Sequence, residues 1–322
     1  MENKKQICCP LDIPANDHRT VAPSLMFLQS LGRKTPNFRG KYRLLVDGLC
    51  KVVRRWPQSV RTVTRDGFQL RCNLRYHSHR MIFLYGVYEI DVDWMCSRLL
   101  KPSDTVIDIG ACFGYHSIAN AIRVGPTGRI YGIEPQTEML AALRENIDAN
   151  GLGNIEIDQI ALSDVKEQLE LHSFRDLEPG HASISTLDRS DYSVAPCLAV
   201  PLDDYVTSKG IRDVALIKLD VEGSEMKILK GAKRLLSSCR PPIWIVEINS
   251  ETSHACGFHP SELLTFLGAY GYSPYRPVWG NIVRRIKRLE RCAAGEVRHG
   301  ENILCAINGI HGDRLARAGV RA

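Results

Sequence analysis

The stretch Asp104-Thr-Val-Ile-Asp-Ile-Gly-Ala-Cys-Phe-Gly114 decides the fold that this sequence predicts. Its first half is a short apolar run of the length of a buried strand, and its second half places two glycines around a turn. A helical pattern follows from Tyr115 to Arg123, and a second strand is predicted from Arg129 to Ile133, directly before Glu134. The stretch therefore indicates a strand, a glycine turn and a helix start, followed by a second strand that ends at a carboxylate.

Predicted strands and helices keep alternating on both sides of this stretch. Further helices are predicted at Glu89 to Leu100, Thr137 to Asn150, Ser224 to Leu236 and Pro260 to Leu267. Further strands are predicted at Ile155 to Leu162, Leu216 to Leu219, Ile243 to Ile248 and Asn302 to Ile307. Such alternation predicts an α/β fold, with a mostly parallel sheet covered by helices on both faces.

The ends of the chain read differently from its middle. Residues 1–85 are predicted to form an accessory segment, helical from Lys41 to Trp56 and then a small β-hairpin around Asp66-Gly67. The main domain is predicted at residues 86–310, and residues 311–322 are predicted to be a basic tail. About fifty residues separate the third and fourth strands, which is long for a simple crossover and long enough to cover a site.

Composition excludes several classes of protein. The chain has 322 residues, 44% of them hydrophobic and 24% charged, and it lacks an apolar run of the ~18 residues that a membrane helix needs. The net charge is +6, with basic flanks and an acidic middle, which a solvated surface explains as well as an acidic partner does. Eleven cysteines without a C-x-x-C pair, and a beginning without a signal sequence, lead us to expect reduced thiols and a cytoplasmic protein.

The glycine turn and the carboxylates near it indicate a cofactor. Gly110 would permit a tight turn, Gly114 would let a ligand approach the helix start, and Glu134 would accept hydrogen bonds from the hydroxyls of a ribose. Asp108 stands where dinucleotide-binding turns have their first glycine. A carboxylate there would repel a pyrophosphate but suits the ammonium and sulfonium of S-adenosylmethionine, although Asp108 could also only cap the next helix.

Several ordered motifs resemble the FkbM-type S-adenosylmethionine-dependent methyltransferases. The matching elements are Gly86-Val-Tyr-Glu89, Asp108 to Gly114, Ala161 to Asp164, Leu202-Asp-Asp-Tyr205, Ile217 to Glu225, Leu229 to Ala232 and Glu247-Ile-Asn249. They cover residues 85–250 in order. One departure is Cys112, which stands where that family usually has Asn; if the Asn braces the turn or touches the cofactor, Cys112 weakens that contact.

The resemblance implies a Rossmann-like class I methyltransferase with a seven-stranded sheet and the cofactor over the carboxyl ends of the first strands. It also implies transfer of a methyl group, usually to oxygen, and points to a hydroxyl on a sugar, a glycan or a small natural product. Carried over by position, Asp108, Gly110 and Gly114 would cradle the methionine part of the cofactor. Glu134 would hold the ribose, and Ala161 would lie beside the adenine.

Candidate catalytic residues follow the fourth strand and the cofactor turn. Asp220 and Glu222 end the fourth strand, and in a parallel sheet they reach the same edge as Asp108. Asp220 is the first candidate for a general base, and His116 is a second group that could act on an acceptor. The carboxylates could also hold a divalent cation, although no ligand pattern in the sequence supports one. Alternatively, Glu222 and Glu225 only complement a helix start, with Lys218 paired to one of them.

Other candidates are weaker, and no residue is assigned as a metal ligand. His181 lies in the long segment between the third and fourth strands and could act at the site. His254 and His259 flank Cys256, but no fourth ligand has suitable spacing for a metal. A reactive thiolate at Cys112 is also conceivable because a helix start lowers a thiol pKa.

Three other classes of function compete with the O-methyltransferase. A nucleic-acid methyltransferase would use the basic flanks, but the residues after the fourth strand lack the Asn/Asp-Pro-Pro-aromatic motif that holds a flat base. A non-catalytic protein would use the cofactor-binding fold as an interaction module. A nucleotide-dependent oxidoreductase is the remaining alternative.

Overall fold

The computed structural model describes residues 22–35, 40–41, 44–45, 59–174, 192–280 and 285–320. Most of the helix predicted from Lys41 to Trp56, and the segment that contains His181, lie outside the described residues.

Eleven α-helices and thirteen strands make up the described part of the chain. The helices are α1 Pro23–Lys34, α2 His77–Tyr85, α3 Ile90–Leu99, α4 Tyr115–Val124, α5 Thr137–Ala149, α6 Leu202–Ser208, α7 Glu225–Lys230, α8 Lys233–Leu236, α9 Ser250–Ala255, α10 Pro260–Gly268 and α11 Asn308–Arg317. The strands are β1 Val60–Val63, β2 Gln69–Cys72, β3 Thr105–Ile109, β4 Arg129–Ile133, β5 Ile155–Asp158, β6 Ala161–Ser163, β7 Glu167–Phe174, β8 Tyr192–Pro201, β9 Val214–Leu219, β10 Ile243–Ile248, β11 Ser273–Trp279, β12 Ile286–Arg291 and β13 Glu301–Ala306.

The central sheet has the order β12-β11-β13-β10-β9-β3-β4-β5. The five strands from β10 to β5 are parallel, and β13, β11 and β12 pair antiparallel with their neighbours. The prediction of a mostly parallel α/β sheet of the Rossmann-like class is confirmed. The predicted seven strands are eight, because β12 folds back onto β11 and extends the edge of the sheet.

The third predicted strand, Ile155 to Leu162, is wrong in its second half. The strand β5 ends at Asp158, whose carboxylate accepts hydrogen bonds from the Tyr205 hydroxyl at 2.8 Å and the Lys209 ammonium at 2.7 Å. The chain then leaves the central sheet, and β6 pairs in parallel with β8 in a separate sheet of order β6-β8-β7. An apolar run in sequence does not show which sheet it will join.

The helix predicted from Ser224 to Leu236 is two helices, α7 and α8, separated at Gly231. A Cβ at this glycine would lie 2.2 Å from the carbonyl oxygen of Ser163. The Gly231 carbonyl also accepts a hydrogen bond from the Asp203 backbone at 2.9 Å. The close approach of two other segments therefore interrupts the helix here.

The N-terminal hairpin β1-β2 forms as predicted around Asp66-Gly67 and packs on α5. The Arg71 backbone N–H donates to Asn146 Oδ1 at 2.8 Å, so the hairpin is fixed to the main domain. The helices α1 and α2 pack on it and were not predicted. Their apolar side chains join one buried cluster with the cofactor turn and α5, which includes Leu25, Leu70, Phe83, Phe113 and Leu143.

The C-terminal residues of the described chain form α11, and the boundary predicted at residue 310 falls inside this helix. Arg314 on α11 donates to both carboxylate oxygens of Asp104, at 2.6 and 2.8 Å, and to the Leu99 carbonyl at 2.6 Å. These bonds attach the helix to the start of β3. In the part of the chain that the structure describes, no helix is long and apolar enough to cross a membrane.

Candidate functional site

A cavity opens at the carboxyl ends of the parallel strands β3, β4, β9 and β10. It brings together five of the predicted site residues, Asp108, Gly110, His116, Glu134 and Asp220, and a sixth, Glu222. The complete lining is Ser78, Tyr88, Glu89, Asp108, Gly110, Ala111, Cys112, Phe113, Tyr115, His116, Glu134, Lys218, Asp220, Glu222 and Glu247. Six of these residues are Asp or Glu and one is Lys, so the cavity is acidic.

The turn after β3 depends on Gly110. This residue has φ +82°, a left-handed conformation that favours glycine, and a Cβ would lie 1.8 Å from the backbone oxygen of Asp220. The Gly110 and Ala111 backbone N–H groups donate to the Ile133 carbonyl at 3.0 and 3.1 Å. The glycine thus lets the turn pack directly against the end of β4 and against Asp220, which follows β9.

Gly114 packs closely against α5. Its φ is +94°, and a Cβ would lie 2.3 Å from Leu143 Cδ1 on α5. It does not line the cavity. The close contact between the turn and α5 is therefore a second local reason for glycine at this position, beside the predicted approach of a ligand, which stays a prediction.

Cys112 also adopts a left-handed backbone conformation, with φ +50°. Asn tolerates this conformation better than most residues, which gives a physical reason for the Asn that FkbM-type turns usually have here. The Cys112 backbone N–H donates to Glu134 Oε2 at 2.9 Å, so the residue contributes through its backbone. Burial, followed by the Glu134 carboxylate, raises the pKa of the Cys112 thiol well above its ordinary value, which argues against a reactive thiolate.

Asp108 is 1% exposed at the end of β3 and has one partnered and one unpartnered oxygen. Its Oδ2 accepts from the Ser117 hydroxyl at 2.6 Å, which orients the carboxylate. Its Oδ1 is buried without a hydrogen-bond partner. A buried carboxylate oxygen without a partner is costly, so a cationic group of a ligand would satisfy this one.

Glu134 is 3% exposed and follows β4, as the sequence predicts. Its two oxygens accept one backbone N–H each, from Cys112 and from Gln136, both at 2.9 Å. Each oxygen keeps a further lone pair for a hydroxyl donor. Burial raises the pKa of Glu134 to about 7, although the two backbone hydrogen bonds oppose this rise.

Ala161 lies in a second cavity that adjoins the first. The two cavities share Gly110, Glu134, Asp220 and Glu222. The second is mostly apolar, with Ile109, Ile133, Pro135, Ile160, Leu162, Leu171, Val221 and Ile228 in its lining. An apolar compartment beside Glu134 has the character that a flat adenine ring requires.

Lys218 is the cation at the centre of the acidic cavity. Its side chain is 3% exposed, and its ammonium pairs with Asp220 rather than with Glu222 or Glu225, so the alternative pairing expected from the sequence is wrong. Burial alone would lower the pKa of Lys218, but Asp220, followed by Glu89 and Asp108, raises it above its ordinary value. Lys218 therefore stays charged and balances several carboxylates.

Asp220 and Glu247 form a carboxyl pair beside Lys218. Burial would raise the pKa of Asp220, but Lys218 and a hydrogen bond from Glu247 hold it well below its usual range. The Asp220 carboxylate, together with burial, raises the pKa of Glu247 to about 11. At neutral pH Glu247 therefore holds the proton of this pair and Asp220 is ionised. The lowered pKa of Asp220 makes it a weak proton acceptor.

Glu222 and Glu225 occupy different surroundings although they are close in sequence. Glu222 lines the cavity and accepts from Asn249 Nδ2 at 2.9 Å. Glu225 is buried at the start of α7 and lies outside the lining of the cavity, and burial raises its pKa to about 8. Among the residues that the structure describes, no group of His, Cys, Asp or Glu has an arrangement that could hold a metal ion.

His116 contacts Glu89, a residue that the sequence placed in a motif but not in the site. The distance between His116 Nε2 and Glu89 Oε2 is 2.7 Å. Burial, followed by Lys218, lowers the pKa of His116 to about 4. At neutral pH the contact is therefore a hydrogen bond to a neutral imidazole and not an ion pair.

The cavity also contains three residues that the sequence did not identify as site candidates, Tyr88, Glu89 and Lys218. The Gly86-Val-Tyr-Glu89 element was the signal for Tyr88 and Glu89, and the Ile217 to Glu225 element was the signal for Lys218. Burial, and then Glu89, raises the pKa of Tyr88 well above its ordinary value, so its hydroxyl stays protonated. The elements that carry these residues lie far apart in the chain, and only the fold joins them.

A known family model matches the part of the chain that carries most of these residues. Residues 108–274 match the model of the methyltransferase FkbM domain, which is more than half of the chain. The chain belongs to the FkbM methyltransferase family. The match begins at Asp108 and includes the carboxylates that follow β9 and Glu247 near the end of β10.

Individual relatives are distant from this FkbM-family chain. The 2-O-methyltransferase NoeI of Sinorhizobium fredii is 25% identical over 158 residues, which cover 45% of this chain and 63% of NoeI. A protein-L-isoaspartate O-methyltransferase of Fervidobacterium nodosum is 38% identical over 80 residues, covering 24% of this chain and 39% of that protein. The chain thus spans less than two thirds of these relatives. The solved structure of methyltransferase FkbM from Methylobacillus flagellatus has a TM-score of 0.40 and 19% identity, covering 64% of this chain and 44% of that chain.

Proposed function

We propose that this protein is an S-adenosylmethionine-dependent O-methyltransferase that acts on a hydroxyl of a sugar, a glycan or a small natural product. The observation that carries the proposal is the buried, unpartnered Oδ1 of Asp108 in a cavity that also contains Glu134. The unpartnered oxygen of Asp108 could accept a hydrogen bond from the ammonium of the methionine part of this cofactor. The free lone pairs of Glu134 could accept hydrogen bonds from the ribose hydroxyls.

The residues divide the cofactor between the two adjoining cavities. Asp108 would hold the ammonium, Glu134 the ribose hydroxyls, and the apolar cavity with Ala161 the adenine. Gly110 keeps the cavity edge in shape through its contact with the segment after β9. When bound, the cofactor supplies a methyl group on a positively charged sulfur, and the acidic lining is favourable for that charge.

The chain's own residues would then orient the acceptor and exclude water. Asp220 is fixed by Lys218 and by the proton on Glu247, so it would accept a hydrogen bond from the acceptor rather than remove its proton. Glu222, held by Asn249, and the neutral His116 would contribute further polar contacts. Alignment of acceptor and cofactor supplies most of what a methyl transfer requires of a protein.

The charge of the cavity favours a neutral acceptor. Six carboxyl groups surround a single lysine, so an acceptor that carries a carboxylate or a phosphate near its reacting atom would be repelled. A hydroxyl of a polyol meets no such repulsion and finds many hydrogen-bond acceptors. The name of the relative NoeI, a 2-O-methyltransferase, agrees with oxygen as the reacting atom.

The domain boundaries are part of the proposal. We place the start of the methyltransferase domain at residue 86, with residues 1–85 as an accessory segment. The end of the methyltransferase domain moves from the predicted residue 310 to the end of α11 at Arg317, because Arg314 attaches this helix to Asp104. The helix α2 contributes Ser78 to the cavity, and both α2 and the hairpin lie against the cofactor turn, so the accessory segment would help to select the acceptor.

Calorimetry with S-adenosylhomocysteine, with NADH as the control titrant, tests the cofactor. We expect micromolar binding, about −8 kcal/mol, to S-adenosylhomocysteine only. Loss of one charge-assisted contact costs roughly 1.5–3 kcal/mol, so Asp108→Ala and Glu134→Ala should each weaken binding about tenfold to a hundredfold without unfolding. Glu290→Gln, on the exposed strand β12, is the control that should bind normally.

Each outcome decides between the competing classes. Unchanged affinity in both variants removes the site assignment, binding of NADH alone favours an oxidoreductase, and binding of neither ligand favours an interaction module. With binding established, transfer of a labelled methyl group to methyl glycosides and oligosaccharides tests the acceptor. Transfer to nucleic acid instead, with steep salt dependence, would refute the hydroxyl of a small acceptor.

A further inference from the structure

Glu89 is held in the cavity by a strained backbone. It has φ +41° and ψ 68°, a left-handed conformation that costs a non-glycine residue roughly 1–2 kcal/mol. The preceding segment is fixed by Gly86, which has φ +72° and whose carbonyl accepts from the Arg65 backbone at 2.7 Å. The Glu89 carbonyl accepts from the Asp93 backbone at 2.9 Å at the start of α3. The fold therefore maintains an unfavourable conformation at a residue that lines the cavity.

The Glu89 carboxyl group is oriented by His116. Its Oε2 lies 2.7 Å from His116 Nε2, and the histidine is itself buried on α4. A neutral imidazole can donate from Nε2 to an ionised Glu89 or accept from a protonated one, so the contact survives a change in the protonation of Glu89. The Glu89 side chain is 14% exposed, which leaves a path for a proton to reach solvent.

We propose, on the basis of the methyltransferase function proposed above, that Glu89 is the catalytic residue that takes the proton of the acceptor hydroxyl. The hydroxyl O–H bond breaks, and the proton goes to Glu89. The acceptor oxygen forms a bond to the methyl carbon as the carbon–sulfur bond breaks, and that electron pair goes to sulfur. The charge of the sulfonium is lost, the proton stays on Glu89, and solvent later removes it.

The other carboxyl groups of the cavity are less suited to this role. Asp220 is held ionised by Lys218, and Glu247 already carries a proton at neutral pH. Asp108 accepts from Ser117 and is assigned to the cofactor ammonium, and Glu134 accepts two backbone N–H groups. Glu222 accepts a hydrogen bond from Asn249 Nδ2 at 2.9 Å. Glu89, in contrast, has the neutral imidazole of His116 as its hydrogen-bond partner.

The proton affinity of Glu89 supports the assignment. Burial raises the pKa of Glu89 to about 7, with Lys218 lowering it and Asp220 raising it. A general base is most effective when its pKa is near the working pH. The titratable and charged groups around Glu89 are His116 on α4, Lys218 and Asp220 at the end of β9, Glu247 on β10, and Tyr88 and Asp91 in its own segment.

Two measurements test the proposal, and the first needs no acceptor. In protein labelled with ¹³C at the glutamate carboxyl carbon and saturated with S-adenosylhomocysteine, one signal should titrate near pH 7 and disappear in Glu89→Gln. Glu134→Gln and Glu225→Gln identify the two other glutamate signals expected between about pH 7 and pH 8. A Glu89 signal that is fully ionised at pH 5 would overturn the proposal.

The second measurement is methyl transfer to the methyl glycosides in a single turnover. Glu89→Gln keeps the shape and the contact to His116, so S-adenosylhomocysteine affinity should stay within threefold while the transfer rate falls at least a hundredfold. The wild-type rate should rise with pH through about 7, and the variant should lack this rise. Glu290→Gln should match the wild type.

The outcomes separate this proposal from the one on which it rests. A wild type that fails to bind S-adenosylhomocysteine refutes the proposed function. A wild type that binds it and methylates a glycoside, with Glu89→Gln equally fast or with the same pH profile, refutes only the role of Glu89. If no glycoside is methylated, the carboxyl titration decides.

Discussion

Replacing Lys218 by methionine should destabilise the protein to an extent that grows with pH. Lys218 is buried among six cavity carboxyl groups and pairs with Asp220. Methionine keeps an unbranched chain of similar length but removes the cation. The remaining carboxylates then have no opposite charge, so at least one of them must take up a proton in the folded protein.

Two estimates give a similar size for this effect. Removing one partner of a buried ion pair typically costs about 3–5 kcal/mol. Burial without a cation raises a carboxyl pKa by roughly 3 pH units or more, and each unit corresponds to about 1.4 kcal/mol, which gives about 4 kcal/mol. The loss of this one cation is therefore large compared with a typical stability of 5–15 kcal/mol.

The pH dependence follows from the protons bound in each state. In the wild type, the lowered pKa of Asp220 and the raised pKa of Lys218 keep the pair charged across pH 5 to 9, so its contribution is constant there. In Lys218→Met, the folded state holds a proton that the unfolded chain releases above its ordinary carboxyl pKa of ~4. Stability of the variant therefore falls as pH rises, until the pH exceeds the raised pKa.

Urea unfolding of the wild type and the variant at pH 5, 7 and 8 measures this difference. We expect a deficit of about 1–2 kcal/mol at pH 5 and about 4 kcal/mol at pH 7 and 8. Lys218→Met combined with Asp220→Asn is the matched control and should recover most of the loss at pH 8. A deficit below about 1 kcal/mol at every pH, or one that is independent of pH, would refute this account of the cavity.

Three further predictions concern the cofactor turn. Because the pKa of Glu134 is raised to about 7 and hydroxyl donors bind its ionised form, S-adenosylhomocysteine affinity by calorimetry should increase about tenfold from pH 6 to pH 8. Glu134→Gln should lack this change, and an identical change there would contradict the assignment. Cys112→Asn should raise the free energy of unfolding by about 0.5–1 kcal/mol because Asn tolerates φ +50° better than Cys does. An equal gain from Cys112→Val in the same measurement would show that backbone strain at this position is not the cause. Gly110→Ala should destabilise the protein clearly more than Gly151→Ala, because the Cβ at position 110 would strike the Asp220 carbonyl. Gly151→Ala introduces only conformational strain of about 1 kcal/mol. Equal losses of stability in thermal unfolding would contradict the close contact at Gly110.

The sequence predicted the central α/β pattern because strand and helix signals there are local. The strands at Thr105–Ile109, Arg129–Ile133 and Ile243–Ile248 begin and end where the apolar runs do. The parallel sheet then requires that Asp108, Glu134 and Asp220, which end or follow strands, meet at one edge. The choice of S-adenosylmethionine over a dinucleotide also rests on one residue type at one position, Asp108.

The tertiary structure alone decided where segments with ambiguous local signals go. The apolar run Ile155 to Leu162 is divided between two sheets because its second half pairs with β8, almost forty residues further along the chain. The helix after β9 is interrupted at Gly231 because Ser163 lies against it. Gly231 marks the second contact in the sequence, but nothing near either segment shows which distant segment it will meet.

The charges of the site are likewise a property of the folded protein. Lys218 and Asp220 are two residues apart, but their pairing, and the proton on Glu247, depend on burial and on strands that come together from distant parts of the chain. The same holds for Glu89 and His116, which are joined across two helices. The sequence determines which groups can ionise and which local structures they follow. Burial and neighbouring charges set the protonation of each group, and only tertiary packing determines how deeply a group is buried and which charges lie beside it.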